Sequence, residues 1–150
     1  MTGPIVVPVD FSEHSAAALT WAQKMSAALG APMHCLYVAR DPAFYAGTEY
    51  LPYAFPSLEE VKQHAMQEME KFVAEHSLGA GVATAVLAGT PFVEIIRYAR
   101  VQDASMIVMS THGHSGLKHV LLGSTTEAVV RKATCPVLSI PAPGIEFEMP

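Results

Sequence analysis

Two short stretches of this 150-residue chain carry residues that could grip a phosphorylated ligand. The first is Pro8-Val9-Asp10-Phe11-Ser12, where a carboxylate stands directly after an apolar run. An acid in that position can accept hydrogen bonds from a ribose hydroxyl or an adenine amino group. The same carboxylate can equally close an Asx-turn ahead of a helix capped by Ser12. The second stretch runs from Ser110 to Thr125 and contains Ser110-Thr111-His112-Gly113-His114-Ser115-Gly116 and, later, Gly123-Ser124-Thr125. Gly113 and Gly116 would let backbone amides approach an anion closely. Gly123, Ser124 and Thr125 stand at the start of a helix, where unpaired amides and the dipole attract phosphate. The plainer reading is a glycine-rich turn followed by a capping box, Ser124-Thr125-Thr126-Glu127, with Ser124 as its cap.

Other chemistry is weaker. His112, His114 and His119 match no standard zinc spacing, and no cysteine or second acid lies near them. Ser115 beside His114 lacks a Gly-x-Ser-x-Gly elbow and an orienting acid. The segment has no Walker A lysine, and Lys118 is its nearest cation. With no arginine placed to stabilise a transferring phosphoryl group either, the residues lean away from an enzyme and toward binding, with slow hydrolysis at most.

The elements that would position these stretches follow from periodicity. Strands are expected at Pro4 to Val9, Met33 to Ala39, Val82 to Ala88, Met106 to Met109 and Pro136 to Ile140. Between them lie four helical patterns. The first follows Ser12 through Ser15, Leu19, Ala22, Ser26 and Leu29 to a terminal Gly30. The second opens with the box Ser57-Leu58-Glu59-Glu60 and presents Leu58, Val61, Ala65, Met69 and Phe72 on one face. The third starts at Thr90-Pro91 and the fourth at Ser124. Strict β-α alternation predicts an α/β domain with an open, five-stranded parallel sheet covered on both faces. In the order 3-2-1-4-5, the tips of the first and fourth strands flank the switch point where ligands bind. Asp10 and Ser110 follow those two strands. Residues 40–56, with three prolines and five aromatics, read as a long loop, and 142–150 as a loose tail.

Composition narrows the class. A chain of this length buries roughly 70% of its unfolded surface, and 51% hydrophobic content supplies the core for one domain spanning 1–150. A net charge of −5 with scattered Lys and Arg argues against nucleic acid. No apolar run is long enough to span a membrane, and no basic leader precedes the first strand. Cys35 and Cys135 form no CxxC pair and read as buried free thiols, so the expected compartment is the cytoplasm.

The segment Ser110-x-x-Gly113, nine residues, then Gly123-Ser124 resembles the loop of the universal stress protein family, which carries Gly-x-x-Gly, nine residues and Gly-Ser/Thr. Val7-Pro8-Val9-Asp10-Phe11-Ser12, Ile107-Val108-Met109 and Cys135-Pro136-Val137-Leu138 are similar to that family as well. The resemblance implies an ATP-binding stress-response or signalling module, with ADP or AMP as related ligands. Asp10 would contact ribose or adenine, with Pro8 and Val9 beside it. Val38 would read the adenine edge through its main chain, and Met109 and Ser110 would flank the nucleoside. Thr111, Gly113, His114, Ser115, Gly116, Gly123, Ser124 and Thr125 would form the phosphate loop, with Mg accompanying the phosphates. It also implies a homodimer through the fifth strand, Val137 to Ile140. Two residues depart from the pattern: Ser110 replaces the loop's first glycine, and His114 stands where many relatives place arginine. An imidazole titrates at about pH 6.5, so binding through His114 would tighten as pH falls. Ser110 motivates an alternative, a homodimeric scaffold of the same fold without nucleotide. A flavodoxin-like enzyme taking another phosphorylated ligand is a third reading.

Overall fold

The computed structural model describes residues 3–40, 56–78, 81–113 and 122–141. Nine elements alternate along them: β1 (Ile5–Pro8), α1 (Glu13–Leu29), β2 (Met33–Ala39), α2 (Leu58–Glu75), β3 (Val82–Ala88), α3 (Pro91–Val101), β4 (Met106–Ser110), α4 (Ser124–Lys132) and β5 (Val137–Ile140). The strands form one sheet in the order β3-β2-β1-β4-β5. All neighbouring pairs are parallel, with Ile5 opposite both Met33 and Met106. The α/β architecture is the one expected from the alternation, and the strand order is the 3-2-1-4-5 taken above to place the switch point.

Burial on both faces explains the unbroken apolar character of the central strands. Successive side chains of β1 point oppositely. Ile5, Val7 and Val9 join Leu19, Ala22, Cys35, Met69 and Phe72 on the α1/α2 face. Val6 joins Leu36, Ile95, Ile107, Met109 and Val129 on the α3/α4 face. Each fully buried Leu, Ile or Val contributes roughly 1.5–3 kcal/mol relative to exposure. The burial that builds this core pushes the Cys35 thiol up to about 12. Cys135 is only half-buried, because it precedes the edge strand β5.

Helix ends match the sequence signals with three corrections. Ser12 caps α1 by accepting from the Ser15 amide at 3.3 Å, and Gly30 ends it in the left-handed region. Leu29, expected on the buried face, is exposed at that end, and so is Leu58 at the start of α2, because each sits in a terminal turn beyond the sheet's cover. The Ser57–Glu60 capping box forms, with the Ser57 amide donating to the Glu60 carboxylate at 2.6 Å. That bond holds the Glu60 carboxyl below its ordinary range. Ser124, in contrast, is not a cap. Gly123 occupies the N-cap position, and no side chain caps the helix. The helix starts one residue early because Gly123 donates its amide to the Thr111 carbonyl and accepts from the Glu127 amide. The Glu127 carboxylate pairs with Arg131 at 3.0 Å.

On β2, the His34 ring lies edge-on to Tyr98 of α3, with Nδ1 at 3.2 Å from the hydroxyl. Burial lowers the His34 pKa below 6.5. Below that value the unfolded chain takes up a proton that the folded chain resists, so this contribution to stability is present at higher pH and is lost on acidification. Thermal melts at neutral and mildly acidic pH should therefore show a smaller drop in Tm for His34→Gln than for the wild type. An equal or larger drop would contradict this assignment.

Candidate functional site

The chain reverses sharply at the tip of β1. Val9 continues the ladder by donating to the Leu36 carbonyl at 2.9 Å, and Asp10 follows. Phe11 then adopts φ 63°, a left-handed conformation that costs a non-glycine residue about 1–2 kcal/mol. Its ring stacks on Tyr37 at 4.6 Å and meets Phe72 edge-on at 5.7 Å, contacts that offset the strain. The turn leaves the two oxygens of Asp10 with different surroundings. Oδ1 accepts from the Ser12 amide at 3.1 Å and from the Ser12 hydroxyl. Oδ2 lies against Gly113, so close that a Cβ there would stand 2.7 Å from it. The Asx-turn and the ligand-facing carboxylate are compatible readings of one residue.

At the tip of β4, Ser110 is buried. Its hydroxyl donates to the His112 carbonyl at 2.7 Å and accepts from the His112 amide at 3.2 Å. Ser110 is not left-handed; among the described residues, those that are, apart from glycines, are Phe11, Ser77 and Asp103. Replacing glycine with serine here therefore carries no such backbone strain. Gly113 lacks left-handed φ too, so its requirement is close approach. Gly123 is also crowded, since a Cβ would stand 3.3 Å from the Thr111 carbonyl.

These tips open onto a cleft of about 510 Å³, within the roughly 300–1,000 Å³ usual for small-molecule sites. Its apolar wall comes from Leu36, Val38, Val61, Pro91, Ile95 and Met109. The polar groups are Asp10, Ser110, His112, Gly113 and the start of α4, with Arg40 at the end of β2. Helix geometry leaves the first-turn amides of α4 without intrahelical partners, and glycine at the cap supplies no side-chain substitute. Tyr37 also lines the cleft. Burial raises its pKa first, the Asp10 charge adds to this, and Arg40 opposes it.

Of the residues expected at the site, Pro8, Val9, Asp10, Val38, Met109, Ser110, Gly113, Gly123, Ser124 and Thr125 line this cleft. Thr111 does not. Its amide donates to the Ile140 carbonyl and its carbonyl accepts from Gly123, so its main chain is tied to β5 and α4. His114, Ser115 and Gly116 lie outside the described residues. Sequence reasoning missed Tyr37, Arg40, His112, Ile95 and Thr126 as lining residues. Arg40 immediately follows a strand at the ligand end of the sheet, a signal obscured by assigning it to the long loop. His112 stood inside a motif read for its glycines. Among the described residues, no group of three or more His, Cys, Asp or Glu could hold a metal ion.

The universal stress protein family model matches residues 1–141. The chain belongs to this family. It is 33% identical to universal stress protein MJ0531 of Methanocaldococcus jannaschii over 144 residues, covering 95% of this chain and 84% of that one. The solved structure of MJ0577 from the same organism superimposes with a TM-score of 0.78 at 27% identity, covering 96% and 99% of the two chains. A universal stress protein in complex with cAMP shares the fold at TM-score 0.66 and 19% identity, covering 92% and 96%. One from Archaeoglobus fulgidus in complex with dAMP shares it at 0.66 and 23%, covering 91% and 96%. The family resemblance in the motifs is thus matched by the fold. No helix among the described residues is long and apolar enough to cross a membrane.

Proposed function

We propose that this universal stress protein binds an adenine nucleotide, foremost ATP, and acts as a nucleotide-dependent stress-response or signalling module. The observation that carries the reading is the approach of the Asp10 carboxylate to Gly113, beside a helix start with no side-chain cap. An acceptor for the nucleoside and donors for phosphate are thereby gathered in one cleft, and glycine at 113 admits the carboxylate where a Cβ would clash with it. The apolar wall of Val38, Ile95 and Met109 suits a purine ring. Complexes of related proteins with cAMP and dAMP support the choice of an adenine ligand.

In this reading, Asp10 accepts from ribose or adenine, while the amides near Gly113, Ser124 and Thr125 hold phosphate. The proposed loop includes His114, Ser115 and Gly116. Magnesium, where present, rides on the phosphates. The absence of a Walker lysine from the loop limits ATP hydrolysis to a slow side reaction. We assign the chain to one cytoplasmic domain that pairs through the β5 edge, Val137 to Ile140. Such pairing would cover main-chain groups that an edge strand leaves open. Ser110, the motive for a nucleotide-free scaffold, carries no left-handed strain.

Denaturing the purified protein and analysing the supernatant by mass spectrometry should release an adenine nucleotide. The companion measurement is ATP titration of the stripped protein. No released nucleotide together with no ATP binding would leave the scaffold reading in place.

A further inference from the structure

Thr126 is one of three polar residues buried among the described residues. It occupies the third helical position of α4, where its hydroxyl donates to the Ser110 carbonyl at 2.8 Å. That bond joins the last residue of β4 to the first turn of α4, sixteen positions later in sequence. A second tie lies beside it, from the Gly123 amide to the Thr111 carbonyl at 2.7 Å. The chain therefore leaves β4 and returns to α4 at a closed neck. Both sides of that neck line the cleft: Ser110, His112 and Gly113 on one side, Gly123, Ser124 and Thr125 on the other.

Only nine residues long, α4 is too short to hold itself in place by helix propensity. Its buried anchors are Val129 and Thr126. Val129 packs in the core one turn further on, so the direction of the helix start is set by the Gly123 main-chain tie and, as its one side-chain tie to β4 among the described residues, by Thr126. Preorganised donors bind an anion well only when their spacing is fixed beforehand.

We infer that Thr126 is a positioning residue for the phosphate end of the cleft: its hydroxyl clasps the tip of β4 to the first turn of α4 and so sets the spacing of the amides that receive phosphate. This rests on the proposed nucleotide reading. The clasp acts on the phosphate end and leaves the wall of Val38, Ile95 and Met109 in place. Its loss should therefore weaken ATP binding much more than adenosine binding.

Calorimetric titration of wild type, Thr126→Val, Thr126→Ala and Thr126→Ser with ATP and with adenosine tests this. Removing the hydroxyl should lower the ATP-to-adenosine affinity ratio about tenfold, whereas Thr126→Ser should retain the wild-type ratio. Either hydroxyl-free variant that folds, as judged by circular dichroism at the titration temperature, decides the matter. Should neither fold, the ratio in Thr126→Ser decides: a wild-type value supports the clasp, and a tenfold fall overturns it. An unchanged ratio in a folded hydroxyl-free variant, with wild type binding ATP, would overturn the clasp alone. Failure of the wild type to bind either ligand would overturn the nucleotide reading itself.

Discussion

Gly113→Val should lower ATP affinity at least about a hundredfold while the protein stays folded. An added Cβ would stand 2.7 Å from Asp10 Oδ2, far inside normal contact. Among the described residues, and apart from its chain neighbours, the only other atom it would approach within 4 Å is Asp10 Cγ, so relief there comes from displacing one side chain rather than backbone. Gly113 has no left-handed φ, so valine is not barred by the backbone. The fold survives for these reasons, and the site does not. In the proposed reading two losses combine: the carboxylate moves away from the proposed nucleoside position, and the branched side chain covers the amides proposed to receive phosphate. A charge-assisted hydrogen bond alone is worth about 1.5–3 kcal/mol, and a hundredfold change corresponds to about 2.7 kcal/mol. The measurement is ATP titration alongside a thermal melt. Wild-type affinity in a folded variant would show that phosphate does not rest at this loop.

Asp10→Ala should be comparably severe, at about tenfold to a hundredfold in ATP affinity. Alanine removes both the acceptor facing Gly113 and the Oδ1 atom that receives the Ser12 amide and hydroxyl. A modest fall in Tm should accompany the loss of that turn. Asp10→Asn separates the two roles. Its side-chain carbonyl can still accept from Ser12, so Tm should stay close to wild type while affinity falls about tenfold, because the charge is gone. The same substitution removes a negative charge that raises the Tyr37 pKa. Ultraviolet titration should therefore show Tyr37 ionising at lower pH in Asp10→Asn, although burial, the larger cause, still holds it up. A variant with unchanged ATP affinity and unchanged Tm would place the carboxylate outside both roles.

Most of the fold was legible because it depends on local patterns. Apolar runs such as Ile5-Val6-Val7 need cover on two faces, and helices on both sides of a parallel sheet provide it. The Ser57–Glu60 box and Gly30 could be read directly, since capping involves residues only a few positions apart. Ser124 misled for an instructive reason. A serine followed three residues later by glutamate reads as a capping box, yet a backbone bond from Gly123 to Thr111 moved the helix start by one residue. No local rule anticipates a partner that comes from another strand tip.

The candidate site divides along the same line. Asp10, Gly113 and Gly123 were visible as residue types at suggestive spacings. That Tyr37, Arg40 and His112 share their cleft, and that Thr111 does not, became apparent only with the strands side by side. The two roles of Asp10 also needed coordinates, because Oδ1 serves its own loop while Oδ2 faces a glycine more than a hundred positions away.

By itself, the sequence determined which segments become strands and helices, that the sheet is parallel and covered on both faces, and which tips could meet a ligand. Alternation, apolar periodicity and crossover handedness act over short stretches and leave few topologies open. Only the tertiary structure decided which donors and acceptors converge, which of them are already bonded within the protein, and that Thr126 ties the two sides of the cleft. Such pairings join segments distant in the chain, and their geometry emerges from the packing of the whole sheet.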